Sequence, residues 1–380
     1  MKFVFISHLD INLFLFRLPV MRTLVDQGHH VVAVCPRGSF TDKFFDYGID
    51  VRTYTIDRKS FNPFKEIITF FKIVLIFRQI KPDVIHAFTI KPCIYSALAS
   101  RFVAVSSVYG AITGLGSIFV DTNRSIISAA TCLSYLMKFA FQFVDNVVFQ
   151  NNEDLNFFVE RRILPRSKAT LIRSSGVDTE SFCMKKISSE RLGGLRRRLG
   201  LSLANVVVLM VGRAIRHKGV VEYIQAAAKV REQISNVDFV LVGGVDEGNP
   251  SSVSREYLCS QSHIHWLGYR DDIAELTALC DICVLPSYRE GVPRSLLEAA
   301  AMGKPIVTTD AVGCREVVED GVNGFLVPVR DVESLAQRIE HLVQDAGLRE
   351  RMGQAGRLKA VQEFDVRHVV RQYLDLYGVN

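Results

Sequence analysis

Residues 206–219 read VVVLMVGRAIRHKG: six apolar residues, then a basic turn bounded by Gly212 and Gly219, then the start of a helix. A short apolar run that ends at glycine is typical of a buried strand, and the periodic apolar residues behind it predict a helix over 219–234. Strand, turn and helix in this order form half of a right-handed crossover, the unit from which parallel sheets are built.

The same alternation covers the rest of the chain. Further strands are predicted in the second half at Phe239–Val242, His265–Leu267, Ile282–Leu285 and Pro305–Thr308, and in the first half at Phe3–Ile6, Val31–Val34, Val51–Tyr54 and Val84–His86. Helices are predicted between them. We therefore expect an α/β protein with two Rossmann-like, doubly wound parallel sheets that face a central cleft, where such sheets bind ligands.

The domain boundary is expected near the basic, glycine-containing stretch 191–198, which reads RLGGLRRR. No aromatic residues interleave with these arginines, so a solvated linker or helix face is favoured over a nucleic-acid patch. The predicted domains are 1–190 and 191–365. A C-terminal helix at 366–380, with apolar residues at helical spacing, is expected to pack against another element; the family resemblance given below implies that this helix joins the first domain.

Composition excludes several classes of protein. The chain has 380 residues, of which 48% are hydrophobic and 23% charged, which is incompatible with a disordered, collagenous or coiled-coil protein. Eight cysteines are too few for a disulfide scaffold, and the first residues read as a strand rather than a signal peptide. We expect a cytoplasmic chain with reduced cysteines.

The formal charge of +6 lies in the first half. Residues 1–180 contain 21 Lys and Arg against 15 Asp and Glu, whereas residues 181–380 contain 25 of each. Such an excess either attracts phosphates and anionic lipid or is an ordinary solvated surface. No apolar run reaches the roughly 20 residues of a membrane span, since Ile67–Ile76 is broken by Lys72. Contact with a membrane surface is therefore compatible with the sequence, and crossing is not.

Residues 285–300 read LPSYREGVPRSLLEAA and contain the most informative motif. Pro293 suits the first turn of a helix, whose unbonded N–H groups around Val292–Ser295 form an anion site. Glu290 and Glu298 can accept hydrogen bonds from sugar and ribose hydroxyls. As alternatives, the two carboxylates form a hydrolase acid/base pair, or each is a helix cap or surface charge.

The turn at 212–219 contains the matching cations. Arg213 and Lys218 flank a turn at a strand's carboxyl end and suit a diphosphate, with Arg216 as a third candidate. The alternative is a basic, solvated turn. Gly243 ends the next strand of the chain and allows close approach of a ligand.

Together these motifs resemble those of the retaining GT-B glycosyltransferases of family 4. The resemblance covers essentially the whole chain and extends through residues 313–316, 320–324, 90–95 and 112–116. It is strongest to the subgroup that builds bacterial surface polysaccharides and glycans on undecaprenyl diphosphate. Residues 241–250, which read LVGGVDEGNP, are similar to N-acetylgalactosaminyltransferases of bacterial N-linked glycan assembly.

The resemblance implies a role for each matching residue. Arg213 and Lys218 would clamp the donor diphosphate and stabilise its leaving charge, and Glu290 would contact the donor sugar; these are the implied catalytic residues. Glu298 would accept from the ribose hydroxyls. The other implied donor-binding residues surround the phosphates, the sugar and the uracil: Gly212, Gly243, Tyr269, Arg270, Gly291, Val292, Pro293, Arg294 and Ser295.

The acceptor is assigned to the basic first domain. Thr113–Gly116 would lie near its reacting hydroxyl, and Lys91 or Arg17 would meet its diphosphate. The loop after the first strand, residues 7–13, reads SHLDINL and lacks the glycines of many family members, so phosphate binding there stays open. His8 is a catalytic base or a structural histidine. The full acceptor set is His8, Asn12, Arg17, Lys91, Thr113, Gly114 and Gly116.

No metal ion or cofactor is expected. The chain has no Asp-x-Asp motif, and Cys280 and Cys283 have no second Cys or His pair nearby in the sequence. Fixed cations and a helix N-terminus can stabilise a departing diphosphate instead. A serine hydrolase is not indicated either, because Gly-x-Ser-x-Gly does not occur.

The sequence thus predicts a UDP-sugar-dependent, retaining hexosyltransferase on the inner face of the cell membrane. It would move a hexose or N-acetylhexosamine, with N-acetylgalactosamine as the best choice, to a saccharide on undecaprenyl diphosphate. The expected partners are the UDP-sugar, the lipid-linked acceptor and an anionic membrane surface, and not nucleic acid. The alternatives are a UDP-sugar epimerase or phosphorylase on the same fold, and a non-catalytic subunit that binds sugar nucleotides.

Overall fold

The computed structural model describes residues 1–57, 62–115 and 124–379, apart from the side chains of 124–129. The chain forms two compact units, Met1–Ser175 together with Val369–Asn380, and Gly176–His368. Each contains one parallel sheet, as predicted. The division falls after Ser175, whereas the sequence placed it at 190, because residues 176–190 pair and pack with the second unit: Val177 bridges Asp365.

The first unit is a seven-stranded parallel sheet in the order β3-β2-β1-β4-β5-β6-β7. Its strands are β1 Lys2–Ile6, β2 His30–Cys35, β3 Asp50–Thr53, β4 Val84–Phe88, β5 Ser107–Ile112, β6 Asn146–Phe149 and β7 Ala169–Leu171. Its helices are α1 Asp10–Asp26, α2 Pro63–Ile80, α3 Ile90–Ala99, α4 Arg124–Ala140 and α5 Asn152–Glu160. The strands are apolar on both faces because helices cover both faces of the sheet.

The second unit is a six-stranded parallel sheet in the order β10-β9-β8-β11-β12-β13. Its strands are β8 Val206–Val211, β9 Val237–Val242, β10 His265–Trp266, β11 Ile282–Leu285, β12 Ile306–Thr309 and β13 Gly324–Val327. Its helices are α6 Ser189–Arg198, α7 Val220–Gln233, α8 Arg255–Cys259, α9 Ile273–Leu279, α10 Arg294–Ala301, α11 Cys314–Val317, α12 Val332–Gln344 and α13 Ala346–Glu363. The predicted strands of this half, and the helix predicted over 219–234, agree with these bounds to within about two residues.

The last helix, α14 Val366–Tyr377, is packed on its apolar side, as the spacing predicted, and completes the core of the first unit, as the family resemblance implied. Tyr373 and Tyr377 are buried against β1, β4 and β5. The Tyr377 hydroxyl lies 2.5 Å from Nδ1 of His86, a fully buried histidine. Burial, together with the nearby Arg17, lowers the pKa of His86, so this ring is a neutral, structural partner of the tyrosine.

Both sheets change direction at one point. In the first, β1 lies beside β4, and in the second, β8 lies beside β11, so the connections leave these strand pairs toward opposite edges. Open parallel sheets bind ligands at the carboxyl ends of such strands, because the loops diverge there and leave a crevice. The turn after β8 and the loop after β11 contain the two motifs singled out in the sequence.

We expect Tyr377→Ala to lower the free energy of unfolding by about 3–5 kcal/mol, the usual cost of removing a buried aromatic ring. Urea denaturation followed by fluorescence measures the change. The matched control is Tyr257→Ala, a tyrosine that is 36% exposed in the second unit, which should cost under about 0.5 kcal/mol. Equal stabilities of the two variants would show that α14 contributes little to the first unit.

Candidate donor site and acceptor edge

The turn after β8 and the loop after β11 are interlocked. Gly219 has φ 74°, and a Cβ at this position would overlap the carbonyl oxygen of Pro286. A hydrogen bond joins the same two segments, since the backbone N–H of Tyr288 donates to the carbonyl of His217 at 2.9 Å. Only glycine combines this backbone conformation with so close an approach.

This approach brings together two of the predicted catalytic residues. The Lys218 ammonium lies 2.5 Å from Oε1 of Glu290, and both side chains are mostly buried. The Ser287 hydroxyl, which is fully buried, lies 2.6 Å from the same carboxylate oxygen. Glu290 is therefore held by two donors, and an ammonium has three N–H groups, so Lys218 can bind a further anionic ligand beside it.

Glycines also pack the neighbouring loops against this pair. A Cβ at Gly243, which has φ 150°, would overlap the carbonyl of Gly212, and the Lys218 side chain lies alongside Gly212. The Gly243 N–H donates to Gly268, and Tyr269, which is largely exposed, follows in the same turn. The structure thus places Gly212, Lys218, Gly243 and Tyr269 at adjoining strand ends.

Gly313 fixes the other side of Glu290. It has φ 83°, and a Cβ there would overlap the backbone oxygens of Glu290 and Gly291. The Glu290 N–H donates to Val312 at 2.9 Å, so the loop after β12 holds the backbone of Glu290. The carboxylate and the main chain of this residue are both positioned by elements distant in sequence.

Two predicted cations have carboxylate partners. Arg213 donates to Oδ2 of Asp246 at 2.6 Å and remains 58% exposed. Arg270 makes a two-pronged ion pair with Asp272, with distances of 2.8 and 2.5 Å. Each guanidinium has five N–H donors, so these pairs orient the cations and leave donors for a second acidic ligand.

Helix α10 begins where the sequence predicted, with Pro293 as its N-cap residue. Ser295 lies in the first turn, where backbone N–H groups have no partner within the helix, and Gly291 and Val292 lie just before the N-cap. Further along α10, Glu298 is almost fully buried and accepts from Nε of Arg294 at 2.7 Å. Burial raises the pKa of the Glu298 carboxyl above the ordinary glutamate value, and the arginine opposes this shift.

Three positioning residues were missed by the sequence reasoning. Ser287 and Asp246 hold Glu290 and Arg213, as described above. Tyr288 donates to Oε1 of Glu222 on α7 at 2.5 Å, which ties the Glu290 loop to the helix after Lys218. The available signal was that Ser287 and Tyr288 lie in the quoted stretch 285–300 and Asp246 in the quoted stretch 241–250. A contact between separate stretches could not be derived from spacing.

In the first unit, four of the predicted acceptor residues lie at the carboxyl edge of the sheet. The His8 ring lies 2.5 Å from the hydroxyl of Thr89, the residue between β4 and α3. Thr89 has φ 74°, a backbone strain that is concentrated at ligand sites. Lys91 donates to Glu66 at 2.9 Å and to a backbone carbonyl of the loop before α2.

The remaining acceptor candidates follow β5 or lie on α1. Thr113 and Gly114 are half-buried just beyond β5, the neighbour of β4, and Asn12 is half-buried on α1. Gly116 lies outside the residues that the structure describes. The first unit thus places His8, Lys91, Thr113 and Gly114 along adjacent strand ends.

Arg17 requires a correction. It is only 3% exposed, and its guanidinium donates to the Tyr373 hydroxyl at 3.1 Å and lies 4.7 Å from the centre of the Phe88 ring. A cation enclosed by aromatic rings packs the core and cannot meet an acceptor diphosphate. The expectation arose because spacing on a helix does not show which face α14 covers.

The loop after β1 is occupied by a carboxylate. Asp10 is buried at the start of α1 and accepts from the backbone N–H groups of Ile11 and Phe40, both at 2.8 Å. A negative charge already occupies the position at which an N-terminal helix turn would bind phosphate. This geometry disfavours phosphate binding by the loop. The sequence, in which the loop lacks glycine, had left that question open.

A cavity of about 550 Å³ opens beside this edge. His8 and Leu9 line it from the loop after β1, Thr55 and Asp57 from the end of β3, and Lys65 and Ile68 from α2. Cavities of this size hold small ligands. Of the predicted acceptor residues, His8 is the one that lines it.

Among residues 1–57, 62–115 and 124–379, no cluster of three or more His, Cys, Asp or Glu side chains could hold a metal ion. Cys280 and Cys283 are buried with their Sγ atoms 3.3 Å apart. Whether the reaction needs a metal is a separate matter.

Two families match complementary parts of the chain. Residues 195–359 match the family described as glycosyl transferases group 1, and residues 3–151 match the glycosyl transferase 4-like family. The boundaries of the two matches lie within the two structural units.

Two curated relatives and a solved structure match between 82 and 100% of the chain. An N,N'-diacetylbacillosaminyl-diphospho-undecaprenol α-1,3-N-acetylgalactosaminyltransferase of Campylobacter jejuni is 32% identical over 99% of this chain and 98% of its own. The UDP-Gal:α-D-GlcNAc-diphosphoundecaprenol α-1,3-galactosyltransferase of Escherichia coli is 27% identical over 82% of this chain and 79% of its own. The structure of Anabaena HepE in complex with UDP and glucose is 23% identical, with TM-score 0.82 over 100% of this chain and 99% of its own.

We expect Gly219→Ala to separate Lys218 from Glu290 and to destabilise the second unit, because its new methyl group must displace the loop at Pro286. The matched control is Gly321→Ala, which has nearly the same φ, 76°, but no atom within 4 Å of the added Cβ. Both variants carry the backbone cost of about 1–2 kcal/mol, and Gly219→Ala adds a steric cost. Thermal unfolding measures the difference; equal melting temperatures would contradict the interlock.

Proposed function

The chain belongs to the group 1, type 4-like family of glycosyltransferases, and we propose that it transfers a sugar from a UDP-sugar to a lipid-linked acceptor. The acceptor would be a saccharide on undecaprenyl diphosphate, and the sugar a hexose or N-acetylhexosamine, with N-acetylgalactosamine as the first choice. Membership in this family favours transfer over the epimerase, phosphorylase and non-catalytic alternatives.

The names of the relatives support this substrate class. Both curated relatives act on sugars linked to undecaprenyl diphosphate, and the Escherichia coli enzyme uses UDP-galactose. The Campylobacter jejuni enzyme is the reason for preferring N-acetylgalactosamine, since it matches nearly the full length of both chains. A role in bacterial glycan or surface polysaccharide synthesis follows from the same substrate class.

The observation on which the proposal depends is the Lys218–Glu290 pair at the β8/β11 crevice. A sugar nucleotide has two phosphates beside a ring of hydroxyls, so its site needs cations next to hydrogen-bond acceptors. We infer that Lys218 and Arg213 bind the diphosphate and that Glu290 accepts from a donor hydroxyl. The amides before α10 complete the phosphate site, Glu298 accepts from the ribose, and Gly243 and the turn with Tyr269 and Arg270 border the uracil.

The proposed reaction is a retaining displacement on one face of the donor sugar. The bond between the anomeric carbon and the β-phosphate oxygen breaks, and a bond from that carbon to the acceptor hydroxyl oxygen forms on the same face. The acceptor proton passes to the departing phosphate. Lys218 and Arg213 stabilise the charge that develops there, a role that fixed cations fulfil without reorganisation during the reaction.

We propose that this charge is neutralised without a metal ion. A lysine held by a glutamate and an arginine held by an aspartate supply two positive charges whose positions are determined by the fold. No cofactor is required by a displacement of this kind.

The first unit is proposed to bind the acceptor at the edge formed by His8, Lys91, Thr113 and Gly114. The enzyme would work at the inner face of the cell membrane as a peripheral protein, since its acceptor is anchored in lipid. In the part of the chain that the structure describes, no helix is both long and apolar enough to span a bilayer.

The transfer assay measures UDP release from several UDP-sugars in the presence of undecaprenyl-diphosphate-linked saccharides, with the product mass determined. We expect Lys218→Ala and Arg213→Ala each to lower kcat about 10²–10³-fold, the usual loss when a charge-stabilising donor is removed. The control is Lys229→Ala, a surface lysine on α7 that pairs with Glu333. Near-normal turnover in the first two variants would refute the phosphate site, and UDP release that requires inorganic phosphate in place of the acceptor would favour a phosphorylase.

The affinity for UDP should fall as the pH is lowered through the raised pKa of Glu298. Above this pKa the carboxylate accepts from the ribose hydroxyls; below it the group is protonated and one acceptor oxygen is lost. Because burial raises the pKa, the loss begins at a higher pH than for an ordinary glutamate, whose pKa is about 4.3. Calorimetric titration with UDP should find weaker, pH-independent binding in Glu298→Gln, and an unchanged profile would exclude this contact.

A further inference from the structure

Helix α2 has apolar side chains on two faces, of which one packs against the sheet. Ile73, Val74, Phe77 and Ile80 are buried in the core of the first unit. The opposite side exposes a second apolar row with between 53 and 79% of each side chain in solvent: Phe64, Ile67, Ile68, Phe71 and Leu75. An exposed row of this kind is unusual in a protein surrounded by water on all sides.

Two neighbouring elements of the first unit also expose apolar residues. Phe102, 52% exposed in the short 3-10 helix after α3, contacts Phe70 of α2, with ring centres 5.9 Å apart. On α4, which packs on α3 as α2 does, Tyr135 and Phe139 are 71 and 54% exposed. We call these residues, with Leu136, the α2–α4 face.

The charges around this face are positive. Lys65, Lys72 and Arg78 of α2 are exposed, as are Arg101 and Lys138 beside the aromatic residues. The acidic residue of α2, Glu66, is already paired with Lys91, and the sequence of α4 contains no Asp or Glu. Lys65 pairs with Asp57 at 3.6 Å, whereas Lys72, Arg78, Arg101 and Lys138 have no acidic partner among the residues that the structure describes. The face thus combines large apolar side chains with four cations that lack a counter-charge.

We propose that the α2–α4 face docks on a bilayer that contains anionic phospholipids, with α2 lying in the plane of the interface. This inference rests on the proposed function, because it gives the site at which an enzyme with a lipid-linked acceptor meets the membrane. Phe64, Phe71 and Leu75 enter the boundary between headgroups and acyl chains, and the flanking lysines bind lipid phosphates, as in interfacial helices.

The charge pattern distinguishes a bilayer from a second copy of this chain as the occupant. Two copies joined through this face would bring the same cations together without acidic partners, which is unfavourable. Anionic headgroups supply the missing counter-charge. The cations of the α2–α4 face account for part of the excess of six positive charges in residues 1–180.

The face also adjoins the cavity at the acceptor edge. Lys65 and Ile68 belong to α2 and line that cavity together with His8. A saccharide whose lipid stays in the bilayer therefore has a short path along α2 to the sheet edge. Docking would keep the acceptor edge at the level of the headgroups, where the diphosphate of such a lipid lies.

The test is co-sedimentation of the full chain with vesicles of phosphatidylglycerol and phosphatidylethanolamine, and with vesicles of phosphatidylcholine alone. We expect binding to the anionic vesicles that weakens with salt. The double variant Phe64→Ser/Phe71→Ser should lose about tenfold or more of this binding, and Lys72→Glu/Lys138→Glu should lose binding to anionic vesicles in particular. The matched control, Leu203→Ser/Leu358→Ser, removes two residues exposed to 69 and 58% in the second unit and should bind normally.

Transfer assays separate this inference from the function on which it rests. The Phe64→Ser/Phe71→Ser variant should transfer normally to a short-chain, water-soluble acceptor and poorly to an acceptor embedded in vesicles. A different outcome would support docking and refute the proposed function: the wild type binds vesicles but transfers to neither acceptor, and the variant loses vesicle binding.

Two results would overturn docking. The first is a sedimentation result: either the wild type does not sediment with anionic vesicles, or the Phe64→Ser/Phe71→Ser variant sediments as the wild type does. The other is sedimentation equilibrium in which the wild type is a dimer and that variant a monomer, with vesicle binding equal in both. The face would then be an interface between copies of the chain.

Discussion

The arrangement of the second unit depends on one steric condition, the absence of a side chain at Gly219. Without a Cβ, the turn after β8 can lie directly on the carbonyl of Pro286, and Lys218 then reaches Glu290, 72 positions further along the chain. Gly243 and Gly313 repeat the condition on either side. Close packing of backbone on backbone makes the crevice rigid, since a carbonyl in contact with a main chain cannot move aside as a side chain can.

The charges of the crevice are paired before any ligand binds. Lys218 has Glu290, Arg213 has Asp246, and Arg270 has Asp272. Such pairs contribute little to folding, because the charges must first lose their hydration. Their value lies in position: each cation is held in one orientation and retains N–H donors for a phosphate. A site that binds a diphosphate and then releases it with more charge benefits from cations that do not rearrange.

The first unit has the same fold but a different chemistry at its strand ends. Asp10 occupies the helix turn after β1, where the second unit has glycines and cations, so the two sheets are not equivalent binding surfaces. Its edge instead offers His8, the strained Thr89 and a cavity that continues onto the apolar surface of α2. These differences are the reason for proposing that the second unit binds the charged nucleotide and that the first binds a ligand with both polar and lipid parts.

The alternation of apolar strands and periodic helices is local, so the sequence alone indicated two parallel sheets, the C-terminal helix, and the position of both motifs at strand ends. It identified nine of the thirteen strands in the described residues and missed β5, β6, β7 and β13. Contacts between distant segments were decided by the tertiary structure. Spacing could not show that Ser287 and Lys218 share Glu290, that Asp246 holds Arg213, or that α14 encloses Arg17. It also could not show which side of α2 is exposed. This helix has apolar residues on two faces, and only the packing against the sheet decides which face remains in solvent.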